Sequence, residues 1–233
     1  SVGSIESEGT TYIEGKNYIS EAGIVTGKNT IIDAKENISI GSITLTGQDK
    51  SGISDDNYMT YNSTRKVGSE VSGTDSVILN AGNNINVKGS MVGSDGTVQL
   101  TAENINILNE KESERKELKN KSGNILSNSS LEEKSYRESA VGSTIIGSNV
   151  ILDAKNDINV KASNVIALKD QENMGGNIIA TAGNNINILA DTLDNSYSRK
   201  EKSSGFSTNF SAGGGGLTAG VSYNKNSLEQ TSN

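Results

Sequence analysis

The sequence predicts an all-β chain wound as a parallel solenoid, and three observations predict it. The Val-Gly-Ser strings at residues 2–4, 67–69 and 141–143 each open a unit of about the same design, with starts 65 and 74 residues apart. Each start is followed by two copies of one pattern: an alternating apolar strand, a small residue, a short Asn/Asp turn and a second apolar strand. The apolar residues are mostly Ile, Val, Leu and Ala; aromatics are 4% of the chain, and Pro, Trp, His and Cys are absent. A compact core normally draws on aromatic bulk, whereas stacked pleated strands suit branched aliphatic side chains. Repetition of this kind marks an array whose units bury their apolar faces on one another.

The first strand of each copy aligns on its small residue: Thr11–Gly15, Thr30–Ala34, Val77–Ala81, Val98–Ala102, Val150–Ala154 and Ile178–Ala182. The first, third and fifth positions are small or apolar throughout, and the fourth is always Glu, Asp, Asn or Thr. That is period 2, a strand with one buried face; it turns Leu152 inward and Ile151 outward. Ile-x-(Ile/Val) then follows at Ile38–Ile40, Ile85–Val87, Ile105–Ile107, Ile158–Val160 and Ile186–Ile188, while the first copy is degenerate at Ile19. Asn37, Asn84, Asn104, Asp157 and Asn185 stand just before that Ile. Asn and Asp accommodate left-handed backbone and bond to nearby main chain in turns. With 29 Asn in the chain, aligned copies are expected to form hydrogen-bonded ladders. Paired copies lie 19, 21 and 28 residues apart, which suits coils of three short faces, six or seven in all, stacked about 4.8 Å apart.

The expected organisation is one continuous solenoid in three units: 1–66 (coils 2–48, insert 49–66), 67–140 (coils 67–109, insert 110–140) and 141–233 (coils 141–191, insert 192–233). The inserts begin alike, at Lys50-Ser51-Gly52, Lys121-Ser122-Gly123 and Lys202–Gly205, and two end alike, at Ser130–Glu133 and Ser227–Gln230. Phe206–Ala212, four Gly at 213–216 and Leu217–Tyr223 read as strand, turn, strand, a hairpin projecting from the rod. The mixed-charge run Glu110–Lys121 could be helical but has no apolar stripe. The pattern runs to both ends, so the chain is expected to be an internal segment.

Net charge is −7 with 28 acidic and 21 basic residues, which argues against nucleic acid. No apolar run approaches the 18 residues or so of a membrane span. Zero Cys excludes disulfides and thiol chemistry, and suits a bacterial exported chain. Without His or Cys the common nucleophile–base pairs are missing and any metal site would be carboxylate-based. Asp33 and Asp153 hold equivalent outward positions, the one place where a glycan lyase or hydrolase could be built; a solvated face is the expected reading, because the coils carry no Arg. Asp55-Asp56-Asn57 and Gly93–Gly96 are read as turns rather than calcium or phosphate loops. No catalytic, cofactor-binding or metal-binding residue is assigned. The candidates for partner contact are Arg199, Lys200 and Lys202, for sulfated glycan, and Phe206, Phe210 and Tyr223 on the hairpin.

Ala81–Val87, Ala182–Ile188 and Val141–Val150 resemble the haemagglutinin repeats of the filamentous haemagglutinin family of large bacterial exoproteins. Ser196–Lys202 and the Gly-rich hairpin after it resemble the inserts of that family's second repeat class. The resemblance covers essentially the whole chain. It implies a right-handed parallel β-helix, export by two-partner secretion through an outer-membrane transporter, and a secreted place on the bacterial cell surface. It implies no enzyme activity and no cofactor. It implies a role in adhesion or virulence, through a host or bacterial cell-surface receptor or glycan, or else in the delivery rod of a contact-dependent growth-inhibition toxin.

Overall fold

The computed structural model describes residues 3–169, 175–213 and 216–232. In chain order, β1 (Ser4–Glu6) and β2 (Thr10–Glu21) form a first coil, and β3 (Ile24–Gly41) a second. A hairpin follows, β4 (Ile43–Ser54) and β5 (Asn57–Val67). β6 (Glu70–Ala81) and β7 (Asn84–Lys88) make the third coil; β8 (Met91–Ser94), β9 (Thr97–Ala102) and β10 (Asn104–Leu108) make the fourth. A second hairpin, β11 (Glu110–Gly123) and β12 (Ser127–Val141), precedes a fifth coil of β13 (Thr144–Gly147), β14 (Asn149–Ala154) and β15 (Ile158–Lys161). The sixth coil is β16 (Asn164–Ala167), β17 (Asn177–Ala182) and β18 (Ile186–Leu189), and the last hairpin is β19 (Asn195–Gly213) and β20 (Gly216–Ser232).

Two compact units result. The solenoid unit comprises Ser1–Leu45, Arg65–Glu112 and Ser139–Thr192; the hairpin unit comprises Thr46–Thr64, Ser113–Glu138 and Leu193–Asn233.

In the solenoid unit the coils pair in parallel and in register on three faces. One stack runs Ile5, Val25, Val71, Val92, Ile145, Val165. A second carries Ile13, Ile32, Leu79, Leu100, Leu152, Ala180, and a third carries Tyr18, Ile38, Ile85, Ile105, Ile158, Ile186. Ile32, Ile38, Leu79, Ile85, Leu100 and Ile105 are fully buried. Each such side chain contributes roughly 1.5–3 kcal/mol by leaving water. Burial fades at the outer coils: Ile186 and Ile188 have a rung on one side only, and Ile188 is 81% exposed.

The repeated motifs follow from the corners. A Cβ on Gly68 would stand 2.1 Å from the carbonyl oxygen of Gly89, and one on Gly142 2.6 Å from that of Ala162. The corners opposite them turn through left-handed residues, Ala22, Gly89 and Ala162. The Ser residues at 69 and 143 are buried and cap main chain. Ser69 Oγ donates to Gly41 O at 2.7 Å and accepts from Ser20 Oγ at 3.0 Å. Ser143 Oγ lies 2.7 Å from Leu108 O and 3.0 Å from Val87 O. A buried main-chain carbonyl left without a donor is costly, so Gly gives the close approach and Ser supplies the bond.

Asn ladders run along the unit. Asn37 donates to Asn17, Asn84 to Asn37, Asn104 to Asn84 and Asn156 to Asn104, all at 2.9–3.1 Å. A second ladder joins Asn86, Asn106, Asn159 and Asn187 at 2.8–2.9 Å. At the fifth coil the first ladder changes residue: Asn185 donates to Asp157 instead.

Two expectations are corrected. The degenerate first copy aligns on Tyr18 rather than Ile19, because a register shift between Gly15 and Asn17 places Tyr18 opposite Ile38. Ile19 pairs with Ser39 and is 72% exposed. The run Glu110–Lys121 is not helical; it lies in β11, whose polar side chains find cross-strand partners.

Candidate presentation surface

The three inserts are hairpins, and they form one six-stranded antiparallel sheet in the order β20-β19-β12-β11-β5-β4. Consecutive hairpins join strand to strand. β5 pairs with β11 from Asn57↔Asn120 to Thr64↔Ser113, and β12 pairs with β19 from Ser127↔Gly205 to Arg137↔Asn195. Beyond Gly205 the ladder of β19 is with β20, and the Phe206 N–H still donates to Leu126 O at 2.8 Å.

Alternation assigns the candidates to faces. Lys200, Lys202, Phe206 and Phe210 are two or four residues apart on β19, and Tyr223 is opposite Phe206, so these five share one face. Arg199 points to the other face, where its Nε donates to Glu201 Oε1 at 3.0 Å. Lys200 pairs with Glu229 at 2.8 Å, and that carboxylate holds the ammonium above the usual lysine range. Two of the three basic residues therefore have an acidic neighbour within their own hairpin. Lys202 stands between Ser130 and Ser227. Beside it an open groove of about 550 Å³ is lined by Asn128, Ser130, Lys202, Ser204 and Lys225.

Two residues along the hairpin from the Ser204–Lys225 pair stands an aromatic pair, Phe206 and Tyr223. The rings of Phe206 and Tyr223 are 4.8 Å apart, and Phe210 and Val221 extend the apolar face, 78% and 73% exposed. The opposite face is polar, with Ser207 and Ser222 in contact through their hydroxyls. Gly214 and Gly215 of the four-Gly turn lie outside the described residues; Gly213 pairs with Gly216.

Sequence reasoning missed an ionic chain across the sheet. Tyr58 donates to Glu117 at 3.1 Å, Lys134 bridges Glu117 and Glu132 at 3.2 and 3.0 Å, and Asp56 holds Lys119 and Lys121 at 3.2 and 2.7 Å. Burial pushes the Glu117 carboxyl up, but the bonds from Lys134 and Tyr58 outweigh it and leave it below the usual range. Glu132, then Glu117, hold the Lys134 ammonium up. A single exposed pair contributes little; a chain of pairs fixes strand register. Its signal in the sequence is weak, because it needs the partner strand to be known.

The two carboxylates that an enzyme reading would use are apart. Asp33 is opposite Asn80, Asn80 opposite Thr101, and Thr101 opposite Asp153. Three rungs of about 4.8 Å separate them, and Asp33 accepts from Asn80 at 2.7 Å. Of the two strings read as turns, only Asp55–Asp56 and Asp95–Gly96 lie between strands; Asn57 begins β5, and Gly93 and Ser94 end β8. Among the described residues, no three His, Cys, Asp or Glu are grouped to hold a metal ion, and no helix is long and apolar enough to cross a membrane.

A model of the hemagglutinin repeat matches residues 51–128 and 125–233. Each match includes hairpin and coil residues, so the hairpins are part of the repeat itself. No curated protein and no solved structure matches the chain. With most of its length matched by that repeat, the chain belongs to the hemagglutinin repeat family.

Proposed function

We propose that this chain is a non-enzymatic rod segment of a large secreted bacterial exoprotein. It is exported by the two-partner route through an outer-membrane transporter and serves adhesion at the cell surface. The solenoid supplies stiffness and the hairpin sheet supplies contact. One observation carries this reading: the central coils consume their large apolar side chains inside the stack, whereas β19 and β20 leave Phe206, Phe210, Val221 and Tyr223 exposed on the face that also carries Lys202. Exposed aromatic side chains next to hydroxyl, amide and ammonium groups suit a sugar face or a receptor surface.

The test is adhesion of the labelled chain to bacterial and host cells, with sulfated glycan as competitor. Changing Phe206, Phe210 and Tyr223 to Ser should reduce attachment at least tenfold and leave the β-type circular dichroism intact. Unchanged attachment would remove this face from the reading.

A delivery role in contact-dependent growth inhibition has one observation in its favour. From Phe206 to Tyr223 the chain carries no charged residue, and its described apolar side chains lie on one face, as a lipid-facing ribbon requires. Co-flotation with liposomes tests it; a chain that stays at the bottom of the gradient at all lipid ratios speaks against this role.

A further inference from the structure

The apolar face of the last hairpin is bordered by positive charge alone. On that face successive cross-strand pairs of β19 and β20 read Lys202 with Ser227, Ser204 with Lys225, Phe206 with Tyr223, Thr208 with Val221 and Phe210 with Ala219. Between Lys202 and Lys225 the sequence has no charged residue. This stretch therefore carries two positive charges and no negative one, in a chain whose net charge is −7. Lys202 stands between Ser130 and Ser227, and Lys225 is opposite Ser204. Neither ammonium has a carboxylate directly across from it.

The other face of the same hairpin is polar, with Ser207 opposite Ser222 and Asn209 opposite Gly220. An open two-stranded ribbon driven through a bilayer would leave those hydroxyl and amide groups, and its outer backbone, in hydrocarbon, at high cost. A ribbon lying in the interface keeps them in water and buries only the aromatic face. Tyr suits that depth, with its ring at the acyl boundary and its hydroxyl among headgroups. Lys lays its stem along apolar surface and keeps its ammonium at the polar level.

We propose that the Phe206–Tyr223 hairpin docks flat on a phospholipid leaflet with anionic headgroups. Phe206, Phe210, Val221 and Tyr223 enter the leaflet, Ser207, Asn209 and Ser222 stay in water, and Lys202 and Lys225 meet lipid phosphates. Charge complementarity selects this occupant, because each ammonium held near a negatively charged leaflet strengthens binding about fivefold. This docking rests on the lipid-facing reading of the hairpin and adds to it the class of lipid and the depth.

The chain has no Trp, so single Trp probes report each face separately. Val221→Trp and Ser222→Trp are mixed with vesicles of phosphatidylcholine alone, or with an equal share of phosphatidylglycerol, the acyl chains being brominated as quencher. Binding to the anionic vesicles should be about twentyfold tighter and should weaken with added salt. The emission of Val221→Trp should shift to the blue and be quenched, while that of Ser222→Trp keeps its unbound value. Adding Lys202→Gln and Lys225→Gln to Val221→Trp should abolish the preference for anionic vesicles and leave weak binding to both kinds. Adding Phe206→Ser and Phe210→Ser instead should abolish binding to both, with the β-type circular dichroism unchanged. Equal binding to the two vesicles, or a preference that survives loss of both Lys, overturns the anionic leaflet and leaves the lipid-facing reading standing. Equal quenching of the two probes overturns the flat pose. A chain that binds cells but no vesicle overturns both, and gives this face to a sugar or a protein.

Discussion

Asn104 donates its side-chain amide to Oδ1 of Asn84 at 3.0 Å, across one coil spacing, while Asn84 donates in turn to Asn37 at 3.0 Å. Asn84 is thus donor and acceptor in one column. Asn84→Ala should leave Asn104 without its acceptor and Asn37 without its donor, and cost about 1–2 kcal/mol. Asn17→Ala, at the end of the column, should cost less. Urea denaturation of both variants measures the difference, and equal losses would mean that the ladder acts as separate pairs.

Neighbours on β14 should respond in opposite ways. Leu152 is 2% exposed and stacked between Leu100 and Ala180; Ile151 faces outward between Gln99 and Ile179. Leu152→Asp would bury an unpaired carboxylate and should cost about 4 kcal/mol or more, enough to disrupt several coils. Ile151→Asp should cost under about 1 kcal/mol. Thermal melts followed by circular dichroism decide, and equal shifts would refute the facing of this strand.

The Val-Gly-Ser strings offer a matched pair of glycines. A methyl on Gly68 meets the Gly89 carbonyl, whereas one on Gly3 meets nothing within 4 Å. Gly68→Ala should cost about 1–3 kcal/mol through the backbone shift it forces, and Gly3→Ala should stay within about 0.5 kcal/mol. Chemical denaturation midpoints compare them directly.

Much of this is legible in the sequence because one physical rule, burial at every second residue, repeats in every coil. Ile38, Leu79, Leu100 and Ile158 announce their facing by alternation alone, and Asn84 and Asn104 announce their ladder by alignment. Tyr18 is hidden because a single register shift near Gly15 exchanges it with Ile19, and one residue reverses a strand's faces. The stretch from Glu110 to Lys121 is hidden for another reason. Its strand character comes from partners far along the chain, such as Tyr58 and Lys134, and local propensity is overruled by them. Likewise Arg199 and Lys200 look alike in sequence, and only the pleat sends one to Glu201 and the other to Glu229.

Asp191 links the acid stability of the solenoid unit to one ion pair. Lys161 at 2.8 Å, then the amide of Asn109 at 2.8 Å, hold its carboxyl down to about 2, against about 3.9 for an unperturbed Asp. A depressed folded value means that the unfolded chain binds the proton first. The stabilisation is therefore complete above about pH 4 and is lost as pH falls towards 2. Asp191→Asn should lower the melting temperature at pH 6 and flatten its fall between pH 4 and 2. Melting temperatures of both proteins at pH 6, 4, 3 and 2 test this, and parallel curves for the parent and Asp191→Asn would show that the pair does not couple protonation to folding.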